Sequence, residues 1–269
     1  MNTIGFIGSG NMAEALIKGI IAADVYRPED VMIADVRSER LEQLASEYNV
    51  KPVESNPTLT AGADVVVLSV KPQNMDAVLS EIKDSLKGDS LVISIAAGVT
   101  TAKIAGFLGD VPIVRVMPNT PALVGEGASA LFAKNAGSEA MALVMKIFSA
   151  VGKAVVVDRE ELIDAVTAVS GSGPAYYFLL MEEMIKAGEQ LGLDEATAKE
   201  LVLQTAKGAA LLAEQADGRG ETAAELRRKV TSPGGTTEAA LKVFAEKDFS
   251  DLVTTALTAA RDRSRELSG

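Results

Sequence analysis

Short apolar runs alternate with longer amphipathic stretches over residues 3–157. Runs rich in Val, Ile and Leu predict strands that are buried on both faces of a sheet; they lie at residues 3–7, 31–35, 64–70, 91–95, 113–117 and 154–157. Between them, apolar positions three to four residues apart predict helices, for example at residues 75–86 and 138–151. This alternation predicts an α/β fold with a doubly wound parallel sheet.

After Asp158 the chain shows only helical periodicity, so we predict a first domain at residues 1–158 and an all-α domain at residues 159–269. The predicted helix at residues 175–191 contains six consecutive apolar residues at positions 176–181. A helix that is apolar all the way round must be buried on several sides. Two arrangements would bury it: an intertwined homodimer formed through the helical half, which we favour, or packing within the monomer.

The first predicted strand leads through a glycine loop into a helix, and the loop fits the pattern G-x-G-x-x-G/A at Gly8, Ser9, Gly10, Asn11, Met12 and Ala13. Gly8 would allow a tight turn, Gly10 would let phosphates approach the backbone, and Ala13 would let helix and strand pack closely. The free N–H groups at the start of the helix favour an anion. The loop therefore predicts a dinucleotide site, although glycine pairs also occur in plain turns.

Asp35 ends the second predicted strand, 25 residues after Gly10. An acidic residue near this spacing suits the 2′-hydroxyl of NAD, whereas Arg37 and Arg40 could hold the 2′-phosphate of NADP. A third interpretation is that Asp35 only caps the following helix. The choice between NADPH and NADH stays open.

Two further strand ends carry candidate binding residues. Lys71 and Pro72 follow the run at residues 64–70, and Ala96, Ala97 and Gly98 follow the run at residues 91–95. Ligands of open parallel sheets bind at the carboxyl ends of strands. The small side chains at residues 96–98 would leave space for a flat ring.

In the helical half, residues 230–238 concentrate hydroxyl groups and glycines ahead of a predicted helix. Backbone N–H groups at such a helix start can bind a carboxylate. Alternatively, Ser232 or Thr236 simply caps the helix. A second glycine turn, at residues 170–174, opens the long apolar helix, with Pro174 suited to the first turn.

Composition limits the chemistry. The 269 residues contain neither cysteine nor histidine, which excludes disulfides, thiolate nucleophiles, histidine bases and the usual Cys/His metal sites, so we expect no metal. A net charge of −11 argues against a nucleic-acid surface. No apolar stretch reaches the roughly 20 residues of a membrane span. The first residues show no signal peptide, so we expect a cytoplasmic protein without membrane partners.

Five stretches resemble pyrroline-5-carboxylate reductases, in the order of that family and over essentially the whole chain. They are FIGSGNMA at residues 6–13, VKPQ at 70–73, RVMPNTP at 115–121, SGSGPAY at 170–176 and VTSPGGTTEAAL at 230–241. The resemblance implies NAD(P)H-dependent reduction of 1-pyrroline-5-carboxylate to L-proline, the last step of proline biosynthesis. It also implies a Rossmann domain followed by a helical domain that dimerises, with five dimers often forming a decamer.

The resemblance also implies site residues. Those expected to bind NADPH or NADH are Gly8, Ser9, Gly10, Asn11, Met12, Asp35, Asn56, Ser69, Val70, Lys71 and Pro72, with Ala96 and Ala97 along the nicotinamide. Arg37 is added to this set because it could hold the 2′-phosphate of NADP. Those expected around the substrate are Val230, Ser232, Gly234, Gly235, Thr236 and Thr237. The substrate carboxylate would sit on the N–H groups of Gly234, Gly235 and Thr236, with Ser232. Thr237 would lie near the ring nitrogen and is the predicted catalytic residue. Lys229 departs from members that carry Asn there, so no cofactor contact is assigned to it.

The chemistry of the residues agrees with this resemblance. A cyclic imine that binds as its iminium already carries the proton, so a chain without histidine can act mainly by positioning. A β-hydroxyacid dehydrogenase is the rival enzyme, but that group needs a catalytic lysine shortly after the glycine turn, and here the first is Lys186. A dinucleotide-binding sensor is the rival from another class, and it would not need the hydroxyl-rich turn.

Overall fold

A computed structural model describes residues 2–268. Contacts within the chain divide it into two units. The first contains residues 2–174 together with residues 258–268, and the second is Ala175–Leu257. The predicted domain boundary at residue 158 stays a proposal.

The first unit is built on an eight-stranded sheet in the order β3-β2-β1-β4-β5-β6-β7-β8. The strands are β1 Ile4–Ile7, β2 Val31–Ala34, β3 Lys51–Pro52, β4 Val65–Leu68, β5 Leu91–Ser94, β6 Ile113–Met117, β7 Gly127–Lys134 and β8 Gly152–Val156. All neighbouring pairs are parallel except β6 and β7. The predicted doubly wound, mainly parallel sheet is confirmed.

Helices lie between the strands: α1 Asn11–Ala22, α2 Ser38–Tyr48, α3 Asn56–Gly62, α4 Met75–Ile82, α5 Thr101–Leu108 and α6 Ser138–Ser149. Short 3₁₀ turns occur at Pro28–Asp30, Pro72–Asn74 and Thr120–Val124. Alternate residues of one strand enter different cores: Val65 and Val67 join one apolar cluster, whereas Val66 and Leu68 join the other. Both faces are therefore covered, which explains the unbroken apolar runs of the central strands.

The sequence did not predict β3 or β7. Strand β7 runs antiparallel to β6 and pairs Met117 with Ala130. Its sequence, GASALFAK, has small residues in place of the β-branched ones that mark the other strands. Its pairing with β6 and β8 supplies the stability that its own residues do not indicate.

The chain continues through α7 Leu162–Val166, a π-helical turn at Thr167–Gly171, and α8 Gly173–Gln190. The remaining helices are α9 Glu195–Asp217, α10 Ala223–Lys229, α11 Thr236–Glu246 and α12 Phe249–Ser268. The prediction of helices alone after residue 158 is confirmed for the described residues. Their apolar side chains are unusually exposed: Tyr177 is 66% exposed and Phe178 61%. A single chain therefore does not bury the apolar row of α8.

Among residues 2–268, no helix combines the length and the apolar character that crossing a membrane would take.

Candidate functional site

The carboxyl ends of three adjacent strands meet at one edge of the sheet. In the register, Ile7 of β1 lies beside Leu68 of β4, and Leu68 lies beside Ser94 of β5. The loops that follow these strands all carry predicted cofactor residues, so the fold brings those residues to the same edge; the loop after β2, with Asp35 and Arg37, follows the neighbouring strand at this edge. Strand β1 also separates β2 from β4, the point at which strand order reverses and at which such sheets bind ligands.

Gly8 makes the turn after β1, with a φ of +88° that favours glycine. A Cβ at this position would lie 2.9 Å from the Ser69 carbonyl oxygen and 3.0 Å from Val70 Cγ1. The Ser69 hydroxyl donates to the Gly8 carbonyl. Gly8, Ser69 and Val70 therefore pack closely together, and a larger residue than glycine does not fit at position 8.

The start of α1 fits a pyrophosphate. Gly10 is the N-cap residue and no side chain caps the helix. A Cβ at Gly10 would meet no heavy atom within 4 Å. Within residues 2–268, no acceptor is found for the N–H groups of Asn11 and Met12, and the buried Ser9 hydroxyl has no hydrogen-bond partner. Free donors beside open space are what a phosphate group of NAD(P)H needs.

Asp35 anchors the glycine loop. One oxygen of its carboxylate accepts the Ser9 N–H at 2.7 Å, and Arg37 pairs with both oxygens at 2.9 and 3.0 Å. Burial alone would raise the pKa of Asp35, but the hydrogen bonds from Arg37 and Ser9 outweigh it and lower the pKa to about 2. Arg37 is the N-cap residue of α2, which has no side-chain cap, so capping by Asp35 is not observed.

This anchor predicts a pH effect. Because the folded pKa of Asp35 lies below the value of about 3.9 in an unfolded chain, the ionised form stabilises the fold above about pH 4, and this contribution disappears as pH falls towards 2. We expect Asp35→Asn to lower the free energy of unfolding by about 1–3 kcal/mol at neutral pH. The difference in free energy of unfolding between Asp35→Asn and wild type, measured by denaturant titration, should become smaller as pH falls from about 4 to about 2. A gap independent of pH would contradict this assignment.

The two arginines after β2 have different surroundings. Arg40 is 13% exposed; its Nε donates to the Ser9 carbonyl at 2.7 Å and its Nη2 pairs with Glu14. Arg37 is 59% exposed. Arg40 therefore holds the loop in shape, whereas only Arg37 of the two is open to a phosphate from solvent. Sequence spacing cannot separate the two arginines, because the difference depends on the contacts of Arg40 with Ser9 and with Glu14 of α1.

The remaining predicted cofactor residues differ in their exposure and in their contacts. Lys71 and Pro72 are exposed after β4, and Ala96 is buried beyond β5 with Ala97 half-buried. The side-chain amide of Asn56 donates to Glu81 Oε2 at 2.8 Å, so this side chain contacts the neighbouring helix α4.

In the second unit, the predicted substrate residues lie between α10 and α11. Val230 ends α10 and is exposed. Gly234 has a φ of +72°, and the Gly235 N–H closes the turn on the Ser232 carbonyl at 3.0 Å. Gly235 is the N-cap of α11, without a side-chain cap, so capping by Ser232 or Thr236 is not observed.

The donors of this turn are partly used. The Gly234 N–H donates to Glu238 Oε2 at 2.7 Å, a contact that the sequence reasoning missed although Glu238 is only four residues away. Within the described chain, no acceptor is found for the N–H groups of Thr236 and Thr237. These two groups, with the neighbouring hydroxyls, can hold a carboxylate. Lys229 forms an ion pair with Glu221.

Known proteins align with almost the whole chain. The pyrroline-5-carboxylate reductase of Pseudomonas aeruginosa is 51% identical over 267 residues, which cover 98% of this chain and 96% of the relative. The chain belongs to the pyrroline-5-carboxylate reductase family. The enzyme of that name from Arabidopsis thaliana is 37% identical over 98% of this chain and 95% of its own. The family resemblance predicted from the five motifs is thus confirmed.

Family models and solved structures agree with this membership. Residues 160–267 match the model for pyrroline-5-carboxylate reductase dimerisation, and residues 3–98 match that for NADP oxidoreductase, coenzyme F420-dependent. The structure of a pyrroline-5-carboxylate reductase from Coxiella burnetii has a TM-score of 0.93 at 42% identity, covering 100% of this chain and 99% of the other. The Plasmodium falciparum pyrroline carboxylate reductase, solved with NADP bound, has a TM-score of 0.88 at 33% identity, with 99% and 98% covered.

Proposed function

We propose that this chain reduces 1-pyrroline-5-carboxylate to L-proline with NADPH or NADH, the last step of proline biosynthesis. The observation that carries the proposal is family membership at 51% identity over 98% of the chain. The free N–H groups of α1 beside the open space at Gly10 support the nicotinamide cofactor. When bound, this cofactor supplies the hydride.

The chain's own residues would orient the substrate. The N–H groups of Thr236 and Thr237 would receive its carboxylate, and the Thr237 hydroxyl would hydrogen-bond the ring nitrogen. No protein acid is needed when the imine binds as its iminium, because the proton is already present. Orientation of this kind supplies several kcal/mol of rate acceleration.

Cofactor choice depends on Arg37 in this proposal. The 2′-phosphate of NADPH adds negative charge that an exposed guanidinium can pair with, whereas NADH has none there. We expect Arg37→Ala to raise the KM for NADPH roughly tenfold and the KM for NADH less than about twofold. Arg40→Ala is the contrast: since Arg40 supports the Ser9 loop, both KM values should rise together. Equal effects of Arg37→Ala on the two cofactors would contradict the assignment.

The rival hydroxyacid dehydrogenase would need a lysine acting as a base. The hydrogen bonds of Lys186 to Glu182 and Glu183 raise its pKa, which favours the protonated form. Lys186 also lies on the surface of α8. This environment opposes proton abstraction.

One assay separates the three functions. In one mixture the purified chain is given 1-pyrroline-5-carboxylate with NADPH or NADH. In the other it is given a β-hydroxyacid with the oxidised cofactor. The absorbance of the reduced nicotinamide is followed in both. We expect turnover of the imine alone. Turnover of the hydroxyacid alone would support the dehydrogenase, and cofactor binding without any turnover would support a sensor.

The active protein is proposed to be an intertwined homodimer. The match of residues 160–267 to a dimerisation family and the exposed apolar row of α8 support an oligomer. Analytical ultracentrifugation should give at least twice the chain mass of 28.0 kDa at micromolar concentration, and ten times that mass for a decamer. A monomer would refute the dimer.

The cytoplasmic location stays a prediction.

A further inference from the structure

The loop between β5 and α5 is held at its far end by a carboxylate that the sequence did not single out. Glu160 Oε1 accepts the N–H of Thr101 at 2.7 Å, and Glu160 Oε2 accepts the Thr101 hydroxyl at 2.6 Å. Thr101 is the first residue of α5, so the carboxylate also faces the positive end of that helix. Ala96 and Ala97, the predicted nicotinamide contacts, lie four to five residues upstream.

Arg115 on β6 orients this carboxylate. Its Nη1 lies 3.0 Å from Glu160 Oε1, and the arginine side chain is only 3% exposed. A buried charge pair is held firmly in place, because separating it would leave an uncompensated charge in the interior. Glu160 is thus fixed by one strand while it fixes the start of α5.

The same loop is contacted at its middle by the end of the chain. Gly98 has a φ of +70°, and a Cβ there would lie 2.9 Å from the Leu267 carbonyl oxygen. The last turns of α12 are tied to α7 by a buried hydrogen bond from Ser264 to Asp164 at 2.7 Å. Residues 95–101 are therefore held from two sides, by Glu160 and by Leu267.

We propose that Glu160, oriented by Arg115, is a positioning residue for the nicotinamide half of the cofactor, acting through Thr101 on the loop at residues 95–101. This inference rests on the proposed placement of Ala96 and Ala97 beside the nicotinamide. Glu160 and Leu267 both lie within the region that matches the dimerisation family, so that region also shapes a cofactor loop of its own chain.

The test uses Thr101→Val, which keeps the side-chain shape and the backbone bond to Glu160 but removes the hydroxyl bond. Binding is measured by fluorescence titration with NADH and NADPH, and by calorimetry with ADP-ribose and 2′-phospho-ADP-ribose, which lack the nicotinamide. We expect the Kd of the reduced cofactors to rise about fivefold to tenfold, which matches the net contribution of one hydrogen bond. The Kd of the nicotinamide-free compounds should stay within about twofold, and Thr101→Ser should restore wild-type binding.

A matched control exists in the second unit. At the start of α9, the N-cap Asp194 accepts the N–H and the hydroxyl of Thr197 at 3.0 and 2.7 Å, the same two kinds of hydrogen bond that Glu160 accepts from Thr101. Thr197→Val removes the corresponding hydroxyl bond and should leave every Kd unchanged. An unchanged Kd of the reduced cofactors in Thr101→Val, or an equal loss for ADP-ribose, would overturn the proposal. Wild-type protein that binds NADH but does not reduce 1-pyrroline-5-carboxylate would overturn the proposed function and leave this binding test intact.

Discussion

Replacing Gly10 with valine is expected to weaken NAD(P)H binding at least about 100-fold, equivalent to about 2.8 kcal/mol, while the protein stays folded. The added side chain meets no protein atom within 4 Å at Cβ, so the fold accepts it. The same space is where phosphates must approach the backbone at the start of α1. Fluorescence titration with NADPH and NADH measures the loss, and thermal unfolding measures stability.

Gly137 provides the matched control. It is the N-cap of α6 with φ −72° and ψ 173°, against −71° and −176° for Gly10, and neither position has a side-chain cap. A Cβ at Gly137 also meets nothing within 4 Å. Gly137→Val should therefore lower Tm as much as Gly10→Val but bind cofactor like wild type. A comparable loss of cofactor binding in both variants, or no loss in Gly10→Val, would show that the cofactor does not bind at this loop.

The second large effect is expected at Thr237. Thr237→Val keeps the volume of the side chain but removes the hydroxyl that we propose contacts the ring nitrogen. Loss of one positioned hydrogen-bonding group typically costs about 100-fold or more in kcat. We expect a kcat loss of about 100-fold for 1-pyrroline-5-carboxylate, measured under saturating cofactor, with the Kd of the cofactor unchanged.

Thr237→Ser separates the hydroxyl from the rest of the side chain. Because serine keeps the hydroxyl, its kcat should stay within about tenfold of wild type. Wild-type kcat and KM in Thr237→Val would show that this residue does not act on the substrate. A loss in the serine variant but not in the valine variant would instead indicate a packing role for the methyl group, because valine keeps that methyl and serine does not.

The strands at the centre of the sheet could be predicted because they are buried on both faces. Such burial requires the continuous apolar runs seen in β1, β4 and β5. Strand β7 could not be predicted, since its small residues carry little strand propensity and its position depends on partners that are distant in sequence. The local sequence pattern therefore predicts strands that are buried on both faces, but it does not predict strands whose position depends on distant pairing partners.

In the candidate site, too, residues with local roles could be predicted from the sequence and residues with distant partners could not. Gly8 and Gly10 follow from local spacing, because the turn and the helix start are made by consecutive residues. The roles of Arg40 and Glu160 could not be seen, since their partners Ser9 and Thr101 are 31 and 59 residues away. Glu238 is different: its contact with Gly234 is local, and an acidic residue in the first turn of a helix was a signal that could have found it.

The most direct test of the central claim, hydride transfer to the imine of 1-pyrroline-5-carboxylate, is an isotope experiment. The purified protein is incubated with the substrate and with NADPH or NADH deuterated at both C4 positions, and the proline formed is analysed by mass spectrometry and NMR. We predict one deuterium per proline, located on the ring carbon that was double-bonded to nitrogen, and one proline per cofactor oxidised. Cofactor left reduced, or proline without the label, would contradict the proposed function.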